Sequence, residues 1–250
     1  MSNTSRNALV LGASGGLGQA VVAKFLTDPK IDNVIAVSRN PQTEDLSAQW
    51  ISNSRLIWIE IEDYTEQAMA EVVAQLDDYK GRLCRVAICH GLLHTDHIWP
   101  EKRMEDIDGA AMQEIFHANV VVPATWLKLL QKVIAGKLQC RIAVFSARVG
   151  STGDNRLGGW YAYRASKAAL NSMLKSFSIE YGRRAKNVKI MAFHPGTTDT
   201  DLSKPFQASV PKEQLFAPAF VAEQLVAIMD GVEMDGQLSF LDWNNKPIAW

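Results

Sequence analysis

Tyr163 and Lys167 are the side chains of this sequence best placed to do chemistry, because the stretch around them reads as a helix. From Ala162 to Tyr181, residues Ala165, Ala168, Ala169, Leu170, Met173, Leu174 and Phe177 recur at helical spacing with no proline. Residues four apart on a helix lie one turn above each other on one face. A phenol and an ammonium are then side by side, and the cation is expected to favour the phenolate and lower the tyrosine pKa. A phenol tuned in this way exchanges a proton near neutral pH. Such a pair also occurs on ordinary helices, so its meaning depends on its surroundings. Tyr161 is not a rival acid: it sits about 200° round the helix from Tyr163 and has Ala165, not a lysine, four residues on.

The chain has 250 residues, 47% hydrophobic and 21% charged, which fits a single domain over 1–250 with a substantial core. Lys plus Arg number 26 against 27 Asp plus Glu, a net charge of −1, so neither nucleic acid nor an anionic membrane is indicated as partner. Cys84, Cys89 and Cys140 are odd in number and form no C-x-x-C, which suits reduced thiols in a cytoplasmic protein. Ala8 to Leu26 is apolar, but four glycines, Ser14, Gln19 and Lys24 interrupt it, against a signal peptide or membrane span. His90, His94 and His97 cluster without a metal-ligand pattern, and no metal site is expected.

Asn7 to Leu11 reads as a buried strand, Gly12-Ala-Ser-Gly-Gly-Leu-Gly18 as a turn and Gln19 to Leu26 as a helix. Strand, glycine turn and helix in this order make a phosphate cradle: glycine lets backbone approach a pyrophosphate, and the helix start offers free N–H groups. Gly12, Ser14, Gly16, Leu17 and Gly18 are its candidate contacts; a glycine turn without a ligand is the alternative. The next strand, Val34 onward, ends in Ser38-Arg39, with no carboxylate before Glu44. An acidic residue there would bond the ribose hydroxyls of NAD, whereas an arginine accepts a 2′-phosphate, so NADP(H) is expected over NAD(H). Arg39 as a solvated loop charge is the rival. Leu56 to Ile61 is a third strand and Thr65 to Leu76 a helix; Glu62 and Asp63 between them either bond adenine or cap that helix. Leu83 to Ile88 is a fourth strand, with Gly91 soon after it. Strands alternating with helices predict an α/β, doubly wound, Rossmann-type parallel sheet with its ligand crevice at the strand carboxyl ends.

Ala110 to Ala135 reads as one long helix, bent at Pro123. It buries Asn119, either as an active-site residue or as a core polar group. Strand Arg141 to Ser146 leads to Ala147-Arg148-Val149-Gly150-Ser151, and strand Val188 to Phe193 to His194-Pro195-Gly196-Thr197-Thr198-Asp199-Thr200. The glycine turn, Asn119, the serine-bearing strand end, Y-x-x-x-K and P-G-x-x-x-T occur in this order. Together they resemble the short-chain dehydrogenase/reductase family over essentially the whole chain. S-A-R-V-G-S, D-N-R-L-G-G-W-Y-A-Y-R-A-S-K-A-A-L, H-P-G-T-T-D-T-D-L-S-K-P-F and the ending D-W-N-N-K-P-I-A-W resemble its C-factor (cell–cell signalling protein) branch.

The resemblance implies about seven parallel strands, a nicotinamide cofactor and carbonyl–alcohol redox chemistry on a small molecule. It also implies a homodimer or homotetramer. By the resemblance, Tyr163 is the proton donor, Lys167 holds the nicotinamide ribose, and Asn119 holds a relay water. Gly12, Gly16 and Gly18 form the pyrophosphate turn, and Pro195, Gly196, Thr198 and Thr200 fix the nicotinamide amide. Two departures stand out. The family's substrate-bonding serine is replaced by Ala147, with Ser146 one residue earlier and expected to face away. Its N-A-G is replaced by Cys89-His90-Gly91. Either Tyr163 and water suffice, or Ser146 or Ser151 substitutes, or turnover is poor. The last case leaves a second class open, a dinucleotide-binding signalling protein. The segment 197–218, polar from Asp201 to Phe216, reads as a substrate lid. The Trp-rich C-terminus either closes the cleft, packs on a second subunit or docks on its own domain.

Overall fold

Short apolar runs buried on both faces decide the architecture. In the first strand, β1 (Asn7–Leu11), Ala8 and Val10 pack into one helical layer and Leu9 and Leu11 into the other, all fully buried. The structure, a computed structural model, describes residues 5–40 and 53–250. Six further strands join β1: β2 (Asn33–Ser38), β3 (Leu56–Glu60), β4 (Leu83–Ile88), β5 (Cys140–Phe145), β6 (Val188–His194) and β9 (Ser239–Asp242). All pairings are parallel, in the order β3-β2-β1-β4-β5-β6-β9. The chain lays β2 and β3 on one side of β1, then crosses to β4 on the other, so the crevice opens between the ends of β1 and β4. Two-residue strands β7 (Thr197–Thr198) and β8 (Leu215–Phe216) pair separately.

Helices α1 (Gly16–Thr27) and α6 (Pro218–Gly231) cover one face, through Val22, Phe25, Leu225 and Met229. Helices α2 (Glu66–Ala74), α4 (Val122–Ile134) and α5 (Tyr161–Arg184) cover the other, through Met69, Trp126, Leu130, Leu170 and Leu174. Both layers exclude water, which is why the strands read as continuous rather than alternating apolar runs.

The expected helix from 110 to 135 is in fact three pieces. It runs as α3 (Gly109–Phe116), a π-helical turn at His117–Val121, and then α4. Pro123 stands in the first turn of α4, directly after the π turn. Its missing N–H withholds the usual bond from the carbonyl of Asn119, four residues before, and the backbone widens there. The region 197–218 contains β7, β8 and 3₁₀ turns at Lys204–Ser209 and Lys212–Gln214. The C-terminus docks on its own chain: Ile248 N–H donates to Phe240 O at 2.9 Å and Gly153 N–H to Trp250 O at 3.2 Å. No helix among the described residues is long and apolar enough to cross a membrane.

At the opposite end of the sheet, buried Arg85 on β4 bridges Asp28 at 2.7 Å and Asp230 at 2.6 Å. Burial pushes the Asp28 carboxyl up, but bonds from the Lys30 N–H and Arg85, with the Arg85 charge, outweigh this and leave it below its usual value. Its contribution is therefore present above the ordinary carboxylate range and fades as pH falls below it. Arg85→Met strands Asp28 and is expected to lower Tm by roughly 5–10 °C in thermal unfolding at pH 7. An unchanged Tm would show the bridge to be dispensable.

Candidate active site

The crevice begins at the turn between β1 and α1. Gly12 has φ +79°, and a Cβ on Gly18 would lie 2.2 Å from the Gly12 carbonyl oxygen, so neither position admits a side chain. The first-turn N–H groups of α1 stay open toward the crevice, as at any helix start. Ser14 Oγ accepts from Ser38 Oγ at 2.6 Å and from Asn40 Nδ2 at 3.3 Å, tying the turn to the end of β2. Arg39 lies exposed there, its guanidinium 5.0 Å from the Tyr64 ring centroid. Glu44 is outside the described residues. Glu62 is exposed beyond β3, and Asp63 accepts from the Thr65 N–H (2.8 Å) and hydroxyl (2.7 Å). The cap of α2 is Thr65, which accepts from the Ala68 N–H at 3.3 Å, so neither Glu62 nor Asp63 caps that helix.

The reactive pair sits across the crevice. Tyr163 is 8% and Lys167 2% exposed, and Lys167 Nζ lies 5.8 Å from the Tyr163 ring centroid. Lys167 Nζ donates to Phe145 O at 2.9 Å. A Cβ on Gly150 would fall 2.7 Å from the Lys167 backbone, so the turn after β5 lies directly on α5. A Cβ on Gly91 would lie 3.7 Å from Lys167 Nζ and 4.0 Å from Asn119 Oδ1, which places these three residues together. Asn119 is fully buried; it accepts from Leu92 N–H (2.7 Å) and donates to Leu92 O (2.9 Å) and Ser166 Oγ (3.0 Å). Its side chain thus clamps the backbone beyond β4 to α5.

One expectation is overturned. The lysine does not lower the tyrosine pKa in this structure: burial dominates and pushes the Tyr163 phenol up. Burial also pushes Lys167 down to about 8. Both shifts penalise the charged form, and neither could be read from spacing, because they depend on enclosure.

Ser146 lines the same cavity as Ala147 and Tyr163, but both candidate serines have partners of their own. Ser146 Oγ donates to Asn171 Oδ1 at 2.7 Å, and Ser151 Oγ accepts from the Asp154 N–H at 3.2 Å. Ala147 itself faces a cavity of about 540 Å³ that runs from Leu17 on α1 to Tyr163. Pro195, Gly196, Thr198 and Thr200 form its other wall, and Gly16 touches Thr200, where a Cβ would come within 2.9 Å of Cγ2. Thr198 Oγ1 is buried without a partner among the described residues. This orphaned hydroxyl, the spare donors of Lys167 and the crowded glycines fit a nicotinamide dinucleotide laid along the crevice. A second cavity of about 420 Å³ beyond Tyr163 has a mainly acidic lining of Glu101, Asp106, Asp108 and Glu114, with Lys102 and His97 beside them.

The short-chain dehydrogenase family model matches residues 6–210. The chain belongs to this family. It is 32% identical to the C-signal protein of Myxococcus xanthus over 148 residues, 58% of this chain and 82% of that one. To benzil reductase ((S)-benzoin forming) of Bacillus cereus it is 24% identical over 225 residues, 87% of this chain and 85% of that protein. The NADPH-bound carbonyl reductase from chicken fatty liver superposes with a TM-score of 0.81 at 21% identity, covering 98% and 99% of the two chains, a likeness of fold.

Sequence reasoning missed how this short-chain dehydrogenase starts α5. Gly158, Gly159 and Trp160 all have positive φ (65°, 64° and 52°), and buried Glu101 accepts the Ala162 N–H at 3.2 and 3.3 Å. Trp160 then packs on Tyr163 and Phe206, with centroids 6.2 and 5.1 Å away. The G-G pair before the helix was the available signal; Glu101, far off in sequence, had none. Because the Ser146 hydroxyl is held by Asn171, Ser146→Ala is expected to leave kcat for carbonyl reduction within about threefold, while Ala147→Ser raises it by about tenfold or more. A hundredfold loss in Ser146→Ala would put that hydroxyl on the reacting oxygen instead.

Proposed function

We propose that the protein is an NADP(H)-dependent carbonyl reductase acting on small ketones that carry apolar or aromatic groups. The observation that carries this reading is the apolar cavity ending at a buried phenol: Leu93, Ala147, Val149, Trp160, Leu202 and Phe206 line it around Tyr163. Bound nicotinamide supplies a hydride to the carbonyl carbon. Tyr163 donates its phenolic proton to the carbonyl oxygen. Burial keeps that phenol protonated at neutral pH, the form that donates to a carbonyl oxygen. The Lys167 ammonium faces the ring and offsets the negative charge that develops as the proton leaves. Lys167 also holds the nicotinamide ribose through N–H groups that Phe145 does not use. Asn119 braces the pair from behind, its widened backbone turn holding a relay water. Residues 197–218 close over the substrate.

With Ala147 in place of a second donor to the carbonyl, activated ketones are favoured, since they need less polarisation. The diketone named in the B. cereus relative is of this kind. Arg39, with Ser38 in place of an acidic residue, supports NADP(H) over NAD(H). Ala147 and the similarity to C-signal also favour a second reading, a dinucleotide-binding signalling protein with little turnover.

NADPH is expected to bind at least about tenfold tighter than NADH, and Arg39→Ala to remove most of the difference. With aryl ketones and diketones, Tyr163→Phe is expected to lower kcat by about 10²- to 10⁴-fold without weakening NADPH binding. Equal affinity for the two cofactors would refute the NADP(H) assignment. Tight NADPH binding with no turnover of any ketone, aldehyde or quinone would favour the signalling reading.

A further inference from the structure

The imidazole of His90, in the segment that departs from the family's N-A-G, has a defined tautomer. Trp126 Nε1–H, which can only donate, gives its hydrogen bond to His90 Nε2 at 3.0 Å. Nε2 therefore accepts, and the neutral ring carries its proton on Nδ1. Neutrality follows from burial, reinforced by the Arg39 and Lys167 charges, which hold the pKa at about 3. The ring is also fixed in place. It is 9% exposed, and the edge of Tyr64 meets it at 4.5 Å between centroids with the planes 75° apart.

What remains is one N–H donor with no protein acceptor among the described residues. A Cβ on Gly12 would lie 3.2 Å from Nδ1, so the donor borders the glycine turn at the β1–β4 crossing. The two cations that act on His90, Arg39 and Lys167, stand at the adenosine and nicotinamide ends of the proposed dinucleotide track. A polar group fixed on a buried ring between two cations, with its donor open, is suited to an oxygen-rich anion.

We propose that His90 is a further dinucleotide-binding residue, its Nδ1–H donating to a ribose or phosphate oxygen in the adenosine half of NADP(H). This rests on the dinucleotide reading above. An alanine, as in N-A-G, offers no such donor, so this bond would belong to chains with histidine at this position.

Two substitutions separate binding from packing. Glutamine places its amide near the Nε2 position, so His90→Gln keeps an acceptor for Trp126 and removes the Nδ1 donor. Asparagine places its amide near Nδ1, so His90→Asn keeps the donor and orphans the Trp126 N–H. In calorimetric titration of the full chain with NADPH, His90→Gln is expected to raise Kd by about three- to tenfold, with the ligand-free Tm near wild type. His90→Asn is expected to lower Tm and leave Kd within about twofold. A glutamine variant that binds like wild type, or an asparagine variant that binds no better than the glutamine one, overturns the assignment. If either variant fails to fold, imidazole ¹⁵N spectra of the wild-type protein decide: the His90 Nδ1–H signal should shift when NADP⁺ is added, and an unmoved signal overturns the proposal. A wild-type protein that binds neither NADPH nor NADH brings down the dinucleotide reading as well; loss of the His90 effect alone leaves that reading standing.

Discussion

An ammonium enclosed in the protein with one acceptor is the interaction on which the rest of the site depends. Lys167 Nζ has three N–H groups, and among the described residues only the Phe145 carbonyl takes one. Enclosure disfavours its charge strongly enough to bring the pKa to about 8 from the ordinary 10.5. The linkage has a definite sign. At pH 7 the lysine is protonated in both the folded and unfolded chain, so the cost of burying it is present in full. Between about 8 and 10.5 the folded chain gives up its proton first, and stability rises with pH across that window. A protein that keeps this cost at neutral pH has its lysine poised for an outside partner with acceptor oxygens, which is what the proposed cofactor is.

Three structural devices hold that ammonium where it is. Gly150 lets the turn after β5 lie on the α5 backbone at Lys167, a contact any side chain would break. Asn119, anchored at a π-helical turn, joins the backbone beyond β4 to Ser166, whose hydroxyl in turn donates to the Tyr163 carbonyl at 2.8 Å. At the start of α5, left-handed Trp160 gives up backbone ease, on the order of 1–3 kcal/mol for such a residue, to place its ring against the reactive tyrosine. Glu101 supplies the cap that no N-terminal residue of α5 provides. Gly150 follows β5, Leu92 and Glu101 follow β4, and Asn119 stands in the π turn, so the pair is not positioned by its own helix alone.

What could be read from sequence was whatever depends on period and local backbone. The parallel strands were legible because burial on both faces makes them unbroken apolar runs, and α5 because its apolar spacing has no rival. The glycine turn was legible because Gly12 and Gly18 serve a geometry that other residues cannot adopt. Strand alternation predicts Ser146 facing away from Ala147, yet Ser146 reaches the rim of the same cavity while its hydroxyl is bonded to Asn171. Less was legible where distant residues decide. The π turn at Asn119 keeps the apolar pattern of a plain helix, and Pro123 marks an interruption without telling a bend from a widened turn. That Thr65, rather than Glu62 or Asp63, caps α2 depends on hydroxyl geometry that spacing does not report. The phenol shift was misjudged in sign because spacing reports the neighbouring cation and says nothing about enclosure.

That sign alters the chemistry the site favours. If the cation alone governed the phenol, the resting enzyme would hold a ready base and would serve alcohol oxidation as well as carbonyl reduction. With burial governing, phenol and ammonium are pushed toward their neutral forms together, the first upward and the second downward. The phenol then gives up its proton only when negative charge on a substrate oxygen makes that transfer favourable, a condition met as hydride arrives at the carbon. Ala147 strengthens the same bias. A serine there would help stabilise the oxygen's charge and relieve Tyr163 of part of that work; without it, the phenol is the principal donor facing the apolar cavity. On the carbonyl-reductase reading proposed above, a site built this way favours ketones whose carbonyl already carries an electron-withdrawing neighbour.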